Sequence, residues 1–342
     1  MVNSVSGPVY KIACEMTKTL VVCYPTEQRH LDAIQRVAPG YEIVVADQDT
    51  IPEKIFLADI FVGHAKVPVD WDGVVAAGRL RFIQSSAAGL DHCLAPSVID
   101  SPIVVCSASG LFADQVAEQT MALLLGLLRG IPIFYRQQQR HEFIRRPTAD
   151  LHGKRVGIVG LGGNGRRLVP ILDPYRVRIR ATDYFPEHKP PQVEALLPHT
   201  ELLSLAAWSE VLILTLPLNA STRGVIDAKV FGAMPSGSWL INVARGQCVD
   251  EKGLIAALES GHLAGAGVDV TATEPLPKES PLYDHPNVLI TPHVGAQSGP
   301  RYDDSTRLIC ENLRRYLGGE SLYNVVDKRL GFPHPSVLYS VQ

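Results

Sequence analysis

Short apolar runs rich in Val and Ile recur along the chain, separated by longer amphipathic stretches. Such runs are typical of strands buried in a parallel sheet, and the stretches between them are long enough for helices. A first series lies at residues 19–25, 42–47, 58–64, 81–86 and 103–108, and a second at 155–160, 177–181, 211–217, 238–244, 264–270 and 288–293. The pattern predicts an α/β protein with two doubly wound parallel-sheet domains.

The pattern also predicts a long helix between the two series and another helix after the second. Residues 114–129 carry a broad apolar face that Gly130 and Pro132 interrupt, so we expect either a buried connecting helix or an arm that pairs two subunits. Residues 305–317 form the second predicted helix. The tail after this helix has no strand series of its own, and we expect it to pack back on one of the two domains.

Composition narrows the class of protein. A length of 342 residues suggests two domains, at about 150 residues for each. With 46% hydrophobic and 20% charged residues, the chain is an ordinary globular protein rather than a disordered or fibrous one. The net charge of −3 gives no electrostatic basis for binding nucleic acid or an anionic membrane, so a small molecule is the expected partner.

The six cysteines, among them Cys14, lie far apart and lack the Cys or His spacing of a metal site or a redox pair. We therefore expect reduced thiols and no bound metal. The longest apolar run, residues 121–128, is shorter than the roughly 20 residues that span a bilayer. Residues 1–18 lack the apolar core of a secretory signal. These features predict a cytoplasmic protein with a short leader of unassigned role and no membrane partner.

A glycine-rich loop provides the most specific local signal. The sequence GLGGNG at residues 160–165 directly follows an apolar strand and precedes a predicted helix. Glycines at its first, third and sixth positions let the turn tighten, let the backbone approach a pyrophosphate and let the helix pack on the strand. Alone, the motif is also compatible with a plain tight turn. The candidate cofactor contacts in this loop are Gly160, Gly162, Gly163, Asn164 and Gly165.

Asp183 strengthens the interpretation of this loop as a dinucleotide site. It lies at the end of the next predicted strand, where a carboxylate accepts hydrogen bonds from the adenine ribose hydroxyls and repels a phosphate on that ribose. We therefore predict NAD as the cofactor in preference to NADP. Three cationic or titratable residues nearby in the sequence, Arg180, His188 and Lys189, leave NADP open.

Candidate functional residues follow the strands of the second series at their carboxyl ends, where open parallel sheets bind ligands. Besides the glycine loop, these ends carry Asp183, Pro217, Arg245, Asp269 with Glu274, and His293. A guanidinium such as Arg245 holds a carboxylate through two hydrogen bonds. An imidazole such as His293 transfers protons, and a neighbouring carboxylate such as Glu274 stabilises its protonated form. Individually, the three are also compatible with a surface arginine, a structural histidine and a solvated acid. Their common position predicts a site for a dinucleotide and a small anionic substrate.

A set of motifs occurs in order along nearly the whole chain: SAAGLD at 86–91, VAE at 116–118, the glycine loop, NVARG at 242–246, GVDVTATEPLP at 267–277 and TPHVG at 291–295. With this set the chain resembles the D-isomer-specific 2-hydroxyacid dehydrogenase family, which includes phosphoglycerate dehydrogenases and hydroxypyruvate or glyoxylate reductases. The resemblance implies a flavodoxin-like substrate-binding domain of residues 1–112 and 299–342 and an NAD-binding Rossmann domain of residues 113–298. It also implies a homodimer that pairs through the NAD-binding domain.

The same resemblance implies a role for each candidate side chain. Arg245 would bind the substrate carboxylate and carbonyl, His293 would act as general acid or base, and Glu274 would be the partner of the histidine. Asp269 would hold the nicotinamide carboxamide. The resemblance further implies substrate contacts from the backbone amides of Ala88 and Gly89, and cofactor contacts at Leu216, Pro217, Ala244, Arg245 and Gly295.

Two positions depart from the family's pattern, and a third separates its branches. Gly63 stands where phosphoglycerate dehydrogenases present an arginine to the substrate, which puts a phosphorylated substrate in doubt unless Lys66 or His64 compensates. Asn164 takes a place that is usually aliphatic. Glu274 argues against the formate dehydrogenase branch, whose histidine pairs with glutamine.

These observations predict an NAD-dependent oxidoreductase that transfers hydride between nicotinamide and C2 of a small (R)-2-hydroxy or 2-oxo acid, of the hydroxypyruvate, glyoxylate or 3-phosphoglycerate class. The alternative is an NAD(H)-sensing regulatory protein of the corepressor kind on the same fold, because a fold does not fix a function. The joint presence of an acid, an imidazole and an arginine favours the enzyme.

Overall fold

The computed structural model describes residues 17–339, so Cys14 and most of the predicted leader lie outside the described residues. The first half of the chain forms a parallel sheet of five strands, β1 (Lys18–Cys23), β2 (Tyr41–Val45), β3 (Ile60–Gly63), β4 (Phe82–Ser85) and β5 (Val104–Cys106). The helices between them are α1 (Gln28–Val37), α2 (Ile51–Lys54), α3 (Trp71–Ala77) and α4 (Pro96–Asp100). The strand order is β2-β1-β3-β4-β5, which is the order of flavodoxin-like doubly wound sheets.

Two helices connect this sheet to the rest of the chain. Helix α5 (Ala113–Leu128) buries Leu123, Leu124 and their neighbours against the second sheet. Of the two alternatives for this helix, the structure agrees with a buried connecting helix. Helix α6 (Ile131–Gln139) was not predicted, and it begins after Gly130, whose φ of +68° turns the chain. Within residues 17–339 no single helix is long and apolar enough to cross a membrane, and α5 with α6 meets that length and composition only as a pair bent by 67°.

The second half forms a seven-stranded parallel sheet. Its strands are β6 (Arg155–Val159), β7 (Arg178–Asp183), β8 (Val193–Pro198), β9 (Val211–Leu214), β10 (Ser238–Asn242), β11 (Leu263–Val268) and β12 (Val288–Ile290). The intervening helices are α7 (Gly163–Leu172), α8 (Leu202–Trp208), α9 (Ala228–Ala233) and α10 (Glu251–Glu259). The order β8-β7-β6-β9-β10-β11-β12 is that of a dinucleotide-binding sheet with a seventh strand added. The predicted fold class is confirmed.

Strand β8 is absent from the predicted second series, and that prediction was wrong at this point. The segment lies at the edge of the sheet, beside β7, and has only one fully buried residue, Val193. An edge strand buries few side chains, so its sequence lacks the continuous apolar run that marks the central strands. By contrast, all four residues of the central strand β9 are completely buried.

Helix α11 (Arg301–Gly318) returns the chain to the first sheet. The Tyr24 and Thr306 hydroxyls lie 2.8 Å apart, and the buried Asn312 amide donates to Gln84 Oε1 at 2.6 Å. Buried polar groups are costly unless they are paired, so these contacts hold α11 to the first sheet specifically. They support the domain limits predicted from the sequence, which stay a prediction.

The tail after α11 is more structured than its sequence suggests. Strands β13 (Val326–Asp327) and β14 (Phe332–Pro333) form a short antiparallel pair, which corrects the expectation of a tail without strands. The tail also touches both halves of the chain rather than one. This segment lies against the cleft described below.

The five cysteines of the described region are free thiols, and most of them are buried in the core. Cys23, Cys93, Cys106 and Cys248 are buried and Cys310 is partly buried, and none of these five forms a disulfide. Burial raises the pKa of Cys106 to about 12, so this thiol is unreactive at neutral pH. Among residues 17–339 no three His, Cys, Asp or Glu side chains cluster as metal ligands would.

Candidate active site

A cleft lies between the carboxyl ends of the two sheets, as expected for doubly wound folds. The predicted site residues that line it are Ala88, Gly89, Gly160, Gly162, Gly163, Asn164, Asp183, Leu216, Pro217, Ala244 and Arg245. Glu274 and His293 form a contact pair of their own, and Gly165, Asp269 and Gly295 pack behind the surface. We call the lined space the central cleft.

The conformation of the glycine loop depends on the absence of side chains at Gly160 and Gly165. Gly160 has φ +93°, and a Cβ there would come within 2.8 Å of the Leu216 Cα atom. Nothing lies within 4 Å of a Cβ built on Gly162, so the backbone at this residue faces open space. A Cβ on Gly165 would overlap the carbonyl oxygen of Gly160, so glycine is needed for α7 to pack on β6. These three positions match the three roles of glycine in a dinucleotide-binding loop. The free backbone amides at the N-terminus of α7 are available to bind a phosphate.

Gly163 serves a different contact. A Cβ on Gly163 would come within 2.5 Å of the Gly110 Cα atom, so two backbones meet here with no side chain between them. Gly110 itself has φ +79° and lies in the connection between the two sheets. This close approach joins the glycine loop to the first half of the chain.

Asp183 is held at the end of β7 by two backbone amides. The Leu161 amide donates to Asp183 Oδ2 at 2.6 Å, and the Phe185 amide donates to Asp183 Oδ1 at 2.8 Å. The carboxylate thereby fixes the glycine loop. Because each carboxylate oxygen has two lone pairs, Asp183 keeps acceptor capacity for a ribose hydroxyl in the central cleft.

Two of the cations that left NADP open are engaged elsewhere. The guanidinium of Arg180 lies 4.5 Å from the centre of the Trp208 ring and 3.6 Å from Glu194. The Lys189 ammonium donates to the carbonyl oxygen of Val193 at 2.6 Å. Neither cation contacts Asp183 in this arrangement.

Arg245 crosses the central cleft from the end of β10. Its Nη1 donates to the Ala244 carbonyl at 2.8 Å, and its Nε lies 3.3 Å from Asp91 Oδ1 in the loop after β4. A Cβ on Gly89 would overlap Arg245 Nη2, so glycine leaves the space that the guanidinium occupies. Partial burial raises the pKa of Asp91, but the charge and hydrogen bond of Arg245 bring it below its ordinary value. The arrangement sets a cation beside the loop of Ala88 and Gly89, and the substrate contacts predicted for this loop stay a prediction.

Sequence reasoning did not assign a role to Asp91. The residue lies in the quoted SAAGLD motif, so a signal was present. Its partner, Arg245, is 154 residues away in the chain, and the pairing follows only from the meeting of the two halves.

Glu274 and His293 form a hydrogen-bonded pair. His293 Nδ1 lies 2.8 Å from Glu274 Oε2, and the Thr271 amide donates to the other carboxylate oxygen at 3.2 Å. Partial burial raises the pKa of Glu274, but the hydrogen bond and charge of His293, the Thr271 amide and the charge of Arg245 together bring it below its ordinary value. Glu274 is therefore an anion at neutral pH. The pairing through Nδ1 leaves Nε2 as the nitrogen for proton transfer.

Asp269 supports the turn that carries His293. Its buried carboxylate accepts hydrogen bonds from the Thr291 hydroxyl at 2.6 Å, the Val294 amide at 3.0 Å and the Gly295 amide at 2.8 Å. His293 has φ +53°, a left-handed conformation that is costly for residues other than glycine. The three hydrogen bonds hold the turn in this conformation. The role implied for Asp269 at the nicotinamide stays a prediction.

The cleft also has an aromatic end that sequence reasoning missed. Tyr184 and Phe185 follow Asp183 directly, and Tyr184 stacks on His199 with ring centres 4.9 Å apart. The position of the two aromatic residues directly after Asp183 was a usable signal. Further lining residues that were not predicted are Ser109, Thr182, Leu202, Thr215, Leu218, Asn219, Thr222, Val243, Phe332, Pro333, Pro335 and Leu338.

Comparison with known proteins identifies relatives of this chain. The family model described as "D-isomer specific 2-hydroxyacid dehydrogenase, NAD binding domain" matches residues 121–295. A D-3-phosphoglycerate dehydrogenase of Methanocaldococcus jannaschii is 30% identical over 318 residues, which cover 91% of this chain and 60% of that protein. A glyoxylate reductase of Thermofilum pendens is 31% identical over 273 residues, which cover 77% of this chain and 79% of that protein. The chain belongs to the D-isomer specific 2-hydroxyacid dehydrogenase family.

The motif-based resemblance is thus confirmed, and a solved structure agrees with it. A D-isomer specific 2-hydroxyacid dehydrogenase from Xanthobacter autotrophicus Py2, in complex with NADPH and MES, has a TM-score of 0.76 and 31% identity. The match covers 91% of this chain and 100% of that one. Because the chain spans only 60% of the length of the phosphoglycerate dehydrogenase it matches, family membership does not carry over that protein's activity.

Within the family, the position of Gly63 has a structural explanation. Gly63 ends β3 with φ +134°, and a Cβ there would overlap the carbonyl oxygen of Cys23 at the end of β1. The backbone therefore leaves no room for a side chain at this position. The neighbouring His64 stacks on His92 with ring centres 4.1 Å apart. Burial, with the charge of Lys66 next, lowers the pKa of His64 to about 4, so this imidazole is uncharged at neutral pH.

We expect Gly63→Ala to lower the free energy of unfolding by about 2–4 kcal/mol, because it combines steric overlap with a φ that only glycine adopts readily. Urea titration followed by circular dichroism measures the change. Gly40→Ala is the matched control, since a Cβ at Gly40 meets nothing within 4 Å; that change is expected to stay within about 0.5 kcal/mol. Equal stability of the two variants would contradict this account of Gly63.

Proposed function

We propose that the protein catalyses reversible hydride transfer between NAD(H) and C2 of a small, unphosphorylated 2-oxo or (R)-2-hydroxy acid. The observation that carries the proposal is the 2.8 Å contact between His293 Nδ1 and Glu274 Oε2, with the Arg245 guanidinium near enough to lower the pKa of the same Glu274. An imidazole paired with a carboxylate, with a guanidinium nearby, can transfer a proton to a substrate oxygen that lies beside a carboxylate.

NAD(H), when bound, supplies or accepts the hydride. The glycine loop would hold the pyrophosphate, and Asp183 would hold the adenine ribose. The open face of Gly162 and the spare acceptor capacity of Asp183 fit this cofactor. A relative in the family is described with NADPH, so membership leaves the choice of cofactor open. The Asp183 carboxylate and the engagement of Arg180 and Lys189 elsewhere support NAD over NADP.

In the direction of reduction, Arg245 binds the substrate carboxylate together with the amides of Ala88 and Gly89. Protonated His293 then gives the proton on its Nε2 to the substrate oxygen as negative charge develops there. Glu274, an anion at neutral pH, stabilises the imidazolium before the transfer. In oxidation, neutral His293 takes the hydroxyl proton, and the same carboxylate stabilises the cation that forms.

The surroundings of Gly63 support an unphosphorylated substrate. Binding a phosphate calls for a cation, and a side chain at Gly63 would overlap the backbone, which leaves Lys66, whose charge acts on His64, as the cation of this loop. His64 and His92 are uncharged at neutral pH, because burial lowers the pKa of His64 to about 4 and that of His92 to about 3. Neutral imidazoles instead suit a hydrogen or a hydroxymethyl group on C2 of the substrate.

We also propose that two subunits pair through α6 and the segment that follows it. Phe143 is 97% exposed and Ile144 51% exposed in the isolated chain. Ile131 and Tyr135 on α6 are more than half exposed as well. Several large apolar side chains exposed within one short stretch of chain are typical of a protein–protein interface. The occupant that fits is the same surface of a second copy, as in closed twofold dimers.

The decisive experiment for the activity is the oxidation of NADH and of NADPH with glyoxylate, hydroxypyruvate, pyruvate and 3-phosphohydroxypyruvate. We expect turnover with at least one unphosphorylated acid, and kcat/KM about tenfold or more above that for the phosphorylated acid and for NADPH, a difference of about 1.4 kcal/mol. Tight NADH binding without turnover on a broad panel of 2-oxo acids would instead favour the NAD(H)-sensing regulator. A preference for 3-phosphohydroxypyruvate would contradict the substrate argument alone.

Glu274→Gln keeps a hydrogen-bond partner for the imidazole but removes the charge that stabilises its protonated form. The variant no longer stabilises the imidazolium by charge, so we expect the alkaline limb of the pH profile of reduction to move to lower pH. Glu251→Gln is the control, because Glu251 bonds the Ala272 amide of the same loop without contacting the imidazole. An unmoved limb in the Glu274 variant would remove this residue from the role.

We expect Phe143→Asp to convert a dimer into a monomer, because it sets a charge in the centre of the proposed interface. Sedimentation velocity at micromolar concentrations distinguishes the two states. Leu203→Asp is the matched control, since Leu203 is 51% exposed on α8, away from this surface. A monomeric parent protein, or a dimeric Phe143 variant, would count against the interface.

A further inference from the structure

The last described residues of the chain reach the cofactor side of the central cleft from the opposite half. We call residues 324–339 the C-terminal segment. Its base is fixed to the first half of the chain, since the buried Asn324 amide donates to the carbonyl oxygens of Ser107 at 3.1 Å and Ser109 at 3.0 Å. Asn324 also binds the end of the segment, because its Oδ1 accepts from the Tyr339 amide at 2.8 Å. The segment is therefore a closed loop held at both of its ends.

The tip of this loop contacts the second half. The Asn219 side chain, after β9, donates to the carbonyl oxygen of Leu330 at 2.8 Å. The Phe332 ring lies edge-on to Tyr184, with centres 5.9 Å apart, and to Phe185, with centres 6.0 Å apart. Aromatic pairs in this geometry attract each other beyond the burial of their area. The tip is thus held by one hydrogen bond and by an aromatic cluster.

The aromatic cluster of Tyr184, Phe185 and Phe332 lies next to Asp183 in the central cleft. Tyr184 and Phe185 follow Asp183, whose carboxylate fits the adenine ribose under the proposed function. The adenine ring of a bound cofactor is therefore expected near these aromatic residues. Phe332, Pro333, Pro335 and Leu338 of the C-terminal segment line the same end. The wall they form is apolar, which suits a flat base.

We propose that the C-terminal segment forms the outer wall of the adenosine subsite, with Phe332 as its ring contact and a determinant of affinity for the adenosine half of the cofactor. The proposal rests on the proposed function, which makes the cleft a site for NAD(H). Asp183 and the glycine loop account for the ribose and the phosphates, and the second half contributes Tyr184, Phe185 and His199 to the lining beside them. Further lining comes from a segment anchored to the substrate-binding half.

The test compares ligands that share or lack adenosine. For Phe332→Ala, titration calorimetry is expected to give about tenfold weaker binding of both NADH and ADP-ribose, within the range of an aromatic contact to a base. Binding of reduced nicotinamide mononucleotide, which lacks adenosine, is expected to stay within about twofold. Phe332→Leu keeps apolar bulk without the ring and is expected to fall between the parent and the alanine variant.

Arg329→Ala is the matched control, because Arg329 belongs to the same loop but is 83% exposed and does not line the cleft. Its affinities are expected to equal those of the parent. Unfolding of each variant is followed by circular dichroism, and the leucine variant keeps the test valid where the alanine variant loses its fold.

Unchanged affinity for ADP-ribose in a folded Phe332 variant overturns the proposal, and so does tighter binding, which would mean that the segment obstructs the subsite. Equal weakening for the mononucleotide also overturns it, since the effect would not then belong to adenosine. A parent protein that binds no NADH contradicts the proposed function itself, a result distinct from these.

Discussion

The guanidinium of Arg245 extends across the central cleft and connects the loops of the two sheets. Arg245 leaves the end of β10 and meets Gly89 and Asp91 in the loop after β4. The contact depends on the missing side chain of Gly89, because any Cβ there would take the space of Nη2. It also depends on Asp91, because a guanidinium withdrawn from water needs a partner charge. The backbones of Gly163 and Gly110 and the C-terminal segment also join the two halves, but Arg245 is the charged group that reaches from the second half to the loop of Ala88 and Gly89.

The acid–base pair depends on a second constraint, which lies in the backbone. His293 occupies a left-handed conformation, and the buried carboxylate of Asp269 holds the turn through a hydroxyl and two amides. A conformation that costs roughly 1–2 kcal/mol persists only where its surroundings over-determine it. The imidazole thus reaches Glu274 because a neighbouring carboxylate fixes the turn. The role implied for Asp269 from resemblance concerned the cofactor, and the geometry adds a role in positioning the proton-transfer group.

The parts of the fold that could be predicted from sequence are those with strong local periodicity or a fixed place at a strand end. The central strands were predicted because buried parallel strands are continuously apolar, and Arg245, Glu274 and His293 were singled out because they follow such strands. Strand β8 was missed because an edge position needs no apolar run. The pairing of Asp91 with Arg245 and the stacking of His64 on His92 join loops from different strands. The spacing of residues along the chain does not predict contacts between such loops.

The contacts of the C-terminal segment also join parts of the chain that are far apart in the sequence. In the proposed function, these contacts couple the binding of the cofactor to the binding of the substrate. The segment is anchored to Ser107 and Ser109 in the first half, while its tip touches Tyr184 and Phe185 in the second. A base that contacts both the segment and these aromatic residues therefore stabilises the arrangement in which the halves are close. Arg245 meets Gly89 in that same arrangement, so the conformation favoured by adenosine is also the one that binds a substrate carboxylate. Linkage is reciprocal, so with the segment in this role each ligand must raise the affinity for the other by the same factor.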